Sequence, residues 1–63
     1  MPTISRIIQP GMNAWIEEVR RRGAETEYFV GCKRGWLGQT FDRLADAEAY
    51  WRAAEAGPVA RLI

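Results

Sequence analysis

Side chains that could act as a base, nucleophile or metal ligand are few in this chain. It has no histidine, one serine (Ser5) and one cysteine (Cys32). Without histidine, the Ser–His and Cys–His arrangements that activate a nucleophile are absent. One cysteine and no histidine also exclude the usual zinc ligand sets and any internal disulfide. Ser5 lies in an apolar first segment. Cys32 falls in an alternating segment that turns it inward, where a lone thiol behaves as a small inert hydrophobe. Paired-carboxylate chemistry needs two acids in one cleft. Glu17 and Glu18 are adjacent, so a strand sends them to opposite faces, and Glu25 and Glu27 each face an arginine across a hairpin. Gly31, Gly35 and Gly38 do not follow a phosphate-loop spacing and read as turn and bulge glycines. The expectation is a protein that is not an enzyme, with no catalytic residue, cofactor or metal.

The elements available to position any site are limited by length. Sixty-three residues make one domain spanning 1–63, and a domain of this size buries only about 60% of its unfolded surface. With 48% hydrophobic and 27% charged residues the chain is neither a disordered tail nor a membrane span. It holds no apolar run long enough for a transmembrane helix or signal segment, so a cytoplasmic location with no membrane partner is expected. The net charge is +1, far below that of a dedicated nucleic-acid binder. The charge is uneven: Arg20, Arg21, Arg22, Lys33 and Arg34 cluster mid-chain, and residues 42–56 are acidic on balance.

Residues 3–8 are β-branched and end at Pro10-Gly11, which predicts a first strand. Residues 13–22 carry two signals. Asn13 as cap, Gly23 as stop and Glu17–Arg21 and Glu18–Arg22 pairs fit a short helix. A two-residue loop at Gly23-Ala24 instead sets Arg22 against Glu25, Arg20 against Glu27 and Val19 against Tyr28, and that favours a strand. Residues 27–33 and 36–41 form the next hairpin, with Tyr28 against Phe41 and Cys32 against Leu37. Residues 42–56 are a helix capped by Asp42 and ended by Gly57, with Leu44, Ala47, Trp51 and Ala54 on one stripe. The apolar segment 59–63 is expected to pair as a closing strand. The predicted fold is α+β: an antiparallel sheet of about four strands with one helix on one face, in the order β-β-β-α-β.

In this register the core face carries Trp15, Val19, Tyr28, Val30, Cys32, Leu37 and Phe41. The outer face carries Phe29 and Trp36 among charges. Trp, Tyr and Arg dominate interface energetics, so Trp36 and Phe29, rimmed by Arg20, Arg22, Lys33 and Arg34, form the expected partner-binding surface.

The run Gly35-Trp-Leu-Gly-Gln-Thr-Phe-Asp-Arg-Leu-Ala-Asp-Ala-Glu-Ala-Tyr-Trp51 resembles the sheet end and helix start of integrase arm-type and AP2-like DNA-binding domains. The resemblance spans residues 15–51 and implies a three-stranded sheet lying in the major groove. Arg20, Arg22, Lys33 and Arg34 would then contact bases and phosphates beside Trp36. This chain departs from that pattern in placing Glu18, Glu25 and Glu27 among the arginines, which opposes phosphate binding. In size and class the chain is also similar to small phage and mobile-element inhibitors, anti-CRISPR proteins among them. The leading expectation is a non-enzymatic protein-binding module of that inhibitor kind. Its partner would be a subunit of a nucleic-acid-handling complex. The alternatives are direct DNA binding through the sheet face, and a small structural subunit or homo-oligomer.

Overall fold

The computed structural model describes residues 3–33 and 36–57. Four strands come first: β1 (Ile4–Gln9), β2 (Ala14–Arg20), β3 (Glu27–Cys32) and β4 (Gln39–Phe41), followed by one helix, α1 (Leu44–Ala56). The strands form a single antiparallel sheet in the order β1-β2-β3-β4. The helix packs against β2, β3 and β4 but makes no contact with β1. The fold is thus α+β with one helix on one sheet face, as predicted. Among the described residues the order is β-β-β-β-α. The expected closing strand, 59–63, lies outside them.

The ambiguous stretch 13–22 is a strand, and its register differs from the expected one by one residue. Ala14 pairs with Cys32, Ile16 with Val30 and Val19 with Glu27. The turn is also not the expected one. Ala24 N–H donates to the Arg21 carbonyl at 3.1 Å, and Gly23 has φ 78. Glycine therefore sits at the third turn position, where a type II turn demands positive φ, and not at the second. Pairing Val19 with Glu27 in place of Tyr28 is a slip of one residue, which turns every β2 side chain to the other face. Ala14 and Ile16 point to the helix, while Trp15 and Val19 point away from it. The charge pairs change too: Arg21 bonds Glu27 at 2.8 Å, in place of Arg20–Glu27 and Arg22–Glu25.

Ala14, Ile16, Val30, Ala47 and Ala54 form the buried core. Alanines on both strand and helix let the backbones come close, and Ile16 and Val30 fill the space between. Full burial of each is worth about 1.5–3 kcal/mol. Ile8, Tyr28, Cys32, Trp36, Phe41, Tyr50 and Trp51 pack around this centre. Leu37, expected inside, is 79% exposed, because it precedes β4 and strand alternation does not reach it. The helix starts at Leu44 with Arg43 as N-cap and no side-chain cap bond. Asp42 belongs to the bend after β4, where its charge still lies close to the helix N-terminus. Gly57 ends the helix as expected, its N–H donating to the Ala54 carbonyl at 3.1 Å.

Candidate functional site

Among the described residues, two surfaces and one internal clamp hold most of the side-chain polar contacts. The clamp joins the last helical turn to the loop before β2. The Glu55 carboxylate accepts backbone N–H bonds from Met12 (2.9 Å), Asn13 (2.8 Å) and Ala14 (2.9 Å). Asn13 Nδ2 returns a bond to the Glu55 carbonyl at 3.0 Å. One turn earlier, Trp51 Nε1 donates to the Ala14 carbonyl at 2.9 Å. These bonds serve backbone groups beyond the β1–β2 ladder, whose last pair is Gln9 with Ile16. The N–H bonds of Met12 and Asn13, with that of Ala14 and the charge of Lys33 adding to them, hold the Glu55 carboxyl below the ordinary glutamate range, against a desolvation cost that pushes it up. Gly11 makes the arrangement possible, since a Cβ there would overlap the Ala14 carbonyl and the Glu55 carboxylate.

The first surface is the sheet face opposite the helix. The strand register places Ile7, Glu17, Phe29 and Thr40 in one row across it, with Trp15 and Gly31 in the row on one side and Ser5, Val19 and Glu27 on the other. Trp15 lies over Gly31, occupying the space a Cβ would take, and its Nε1 donates to Glu17 Oε2 at 2.8 Å. Phe29 packs in the same way against Gly38. The glycines thus let two aromatic rings lie down on the sheet. Trp15, Val19 and Phe29 are half-buried, Ile7 is 57% exposed, and none of them faces the helix. Glu17 and Glu27 against Arg21 leave this face acidic on balance.

The second surface is the helix-side ledge of β1 and β2, which α1 does not cover. Ile4, Arg6, Glu18 and Arg20 line a groove of about 210 Å³ there. Arg6 Nε and Arg20 Nε approach the same oxygen, Glu18 Oε1, at 3.3 and 3.7 Å. Their side chains stay 71% and 62% exposed, against 15% for Glu18.

The structure does not bring the sequence-predicted partner-binding residues together. Phe29 lies on the open face as expected. Trp36 is on the other side of the sheet, half-buried and edge-on to Tyr50 with centroids 5.4 Å apart. Its Nε1 is buried with no hydrogen-bond partner among the described residues. Tyr50 of the helix holds this segment, its hydroxyl donating to the Leu37 carbonyl at 2.6 Å, and strand alternation does not extend to Trp36, which precedes β4. Arg20 moved to the helix-side ledge with the change of register. Arg22 sits exposed in the turn and Lys33 exposed just past β3. Arg34 lies outside the described residues.

Trp15, Ile7, Arg6 and Glu55 are the residues the sequence reading missed. A glutamate in a last helical turn opposes the helix dipole, and that anomaly was the available signal for the clamp. Cys32 faces the helix as expected, its Sγ 3.8 Å from the Leu37 carbonyl and its pKa pushed up by burial. Among the described residues no cluster of three acidic, cysteine or histidine side chains is placed to hold a metal. No helix there is long and apolar enough to cross a membrane. Comparison with protein-family models, curated proteins and solved structures found no match for this chain.

Proposed function

We propose that this protein is a non-enzymatic binding module that engages another protein through its open sheet face. The observation that carries the reading is the group of Ile7, Trp15, Val19 and Phe29 around Glu17, on the side of the sheet that no element of the described chain covers. Apolar side chains gathered on an open face mark an interaction surface, and aromatic anchors supply most of the energy of such contacts. The acidic balance of this face matches a partner with basic residues around an apolar knob. Proteins that handle nucleic acid carry basic surfaces of that kind, which favours the inhibitor reading, in which the module occludes a subunit of such a complex. Its small size and class are the other support for that finer statement.

The same acidic balance weighs against DNA as the direct ligand. Glu17 and Glu27 would face the phosphates if the sheet lay in a groove, and carboxylates there reduce affinity.

The test compares the wild type with a Trp15→Ala, Phe29→Ala double variant in affinity capture from native cell lysate. A specific protein retained by the wild type and lost by a folded double variant is the expected result. Equal retention by both forms removes this face from the reading. Retention on duplex DNA that falls steeply between low and moderate salt replaces it with the DNA alternative.

A further inference from the structure

The ledge of Arg6 and Arg20 lies on the helix side of the sheet, away from the face proposed above; the two ideas share Ile7 and are separated by their variants, Arg6 and Arg20 for one and Trp15 and Phe29 for the other. Among the described residues β1 has one strand neighbour, β2. Every second residue of an antiparallel edge strand turns its N–H and C=O away from its one neighbour. Natural edges are blunted by lysine, proline, bulges or covering elements. Here the bulge lies between Ile7 and Gln9, which leaves Ile4 to Ile7 regular. The helix does not reach this strand, and Ile4 and Ile7 are 64% and 57% exposed.

We propose that the β1 edge accepts an extended acidic peptide of a partner protein as an added strand, with its carboxylates read by Arg6 and Arg20. Strand addition draws affinity from the main chain and specificity from alternate side chains. The helix-side ledge supplies that specificity. Arg6 and Arg20 share one carboxylate oxygen through Nε alone. A guanidinium has five donor hydrogens in a fork that matches a carboxylate, so among the described residues most donors of both remain for an incoming acid. The groove holds two positive charges and one negative, and Ile4 gives it an apolar wall. On the other side of β1, Ser5 and Ile7 meet the alternate residues of the peptide. The occupant that fits alternates acidic with β-branched residues.

Charge decides against the competing occupants. A second copy of the chain, paired through β1 about a two-fold axis, brings its own Arg6 to the same ridge. Like charges there are unfavourable. The chain's own residues 58–63, with Arg61 and no acidic side chain, are an occupant the test distinguishes, because a segment seated on the edge would block the peptide. A nucleic-acid backbone meets Glu18 at the centre of the groove and gains from two arginines only.

The experiment is fluorescence anisotropy on the full chain with a labelled seven-residue peptide of alternating glutamate and valine. Saturable binding is expected. An Arg6→Ala, Arg20→Ala variant should bind about tenfold more weakly, with its circular dichroism unchanged because both side chains are exposed. The same peptide N-methylated at every residue, which has no N–H to donate along either edge, should not bind, and neither should its lysine–valine counterpart. The peptide-side changes keep the test valid if the double variant unfolds. Equal binding of the methylated or lysine peptide overturns the proposal, as does no binding at millimolar peptide. Unchanged affinity in a folded double variant also overturns it. Tighter binding of duplex DNA at the same salt assigns the ledge to nucleic acid, and self-association that excludes the peptide assigns it to a second copy; either result overturns the proposal.

Discussion

Ala14 and Ile16 begin β2, Glu18 and Arg20 end it, and all four point to the same side of the sheet. The first two have no exposed surface, while Arg20 is largely in water and Glu18 lines an open groove. The helix makes the difference. Thirteen residues at about 1.5 Å each span roughly 20 Å, and α1 spends that length across β2, β3 and β4. Its last two turns are tied to the start of β2 by Glu55 and Trp51, so the far end of the strand and β1 lie beyond its reach. One end of the sheet is thereby a core and the other a surface with its own charge pattern. Folding energy should concentrate at the first, recognition at the second and on the open face behind both.

Core truncation tests that division with the largest effect. Ile16→Ala removes a fully buried side chain and should cost about 2–4 kcal/mol, a large share of the stability of so small a domain. Ile7→Ala, on the same sheet but 57% exposed, should stay within about 0.5 kcal/mol. Urea titration followed by tryptophan fluorescence measures both. Similar losses at the two positions would mean that the β1 end is as well packed as the helix end.

Disruption of the clamp comes next. Gly11→Ala forces a methyl against the Ala14 carbonyl and the Glu55 carboxylate, and Glu55→Ala leaves three backbone N–H groups without their acceptor. Each should lower the melting midpoint by roughly 10 °C. If both act on one contact, the double variant should fall far short of the sum of the singles.

A pH titration isolates the charge. The folded pKa of Glu55 lies below its unfolded value of about 4.3. Its stabilisation is therefore complete above about 4.3 and is lost as pH falls through the lower folded value. Glu55→Gln should be less stable than the wild type at neutral pH, and the gap should narrow on acidification below about pH 4. A gap that stays constant with pH would show that the carboxylate acts through its shape alone.

Much of this architecture was legible because local signals agreed with one another. Gly57 after an alanine-rich stripe ended the helix, and the β3–β4 register followed from Tyr28 facing Phe41. The parity of β2 was not legible, for a physical reason. Ala14, Trp15, Ile16 and Val19 put apolar residues on both faces, so alternation cannot choose between them. The larger Trp15 looks like core, yet small Ala14 is what a closely packed helix needs beneath it. Gly23 sits one position later in its turn than the type II′ loop expected from the sequence places it. The candidate site inherited that shift: Arg20 left the open face, Trp15 joined it, and only Phe29 stayed.

The smallest expected effect comes from the second carboxylate of the comparison. Glu18 and Glu55 each hold several donors, but of different kinds. Glu55 is bound by backbone N–H groups that the fold fixes in place, whereas Glu18 meets two long guanidinium side chains that are mostly in water. Ordering flexible exposed arginines costs entropy, and salt screens their attraction, so such pairs contribute about 0–1 kcal/mol. Glu18→Gln should therefore destabilise the protein by about 0.5 kcal/mol at low salt and by nothing measurable in about 1 M sodium chloride, where the Debye length is about 3 Å. The loss in Glu55→Ala should persist in that salt, because its hydrogen bonds are short and fixed by the backbone. Equal salt sensitivity of the two variants would mean that the clamp is as loosely held as the ledge, and the division between a structural end and a recognition end of the sheet would not stand.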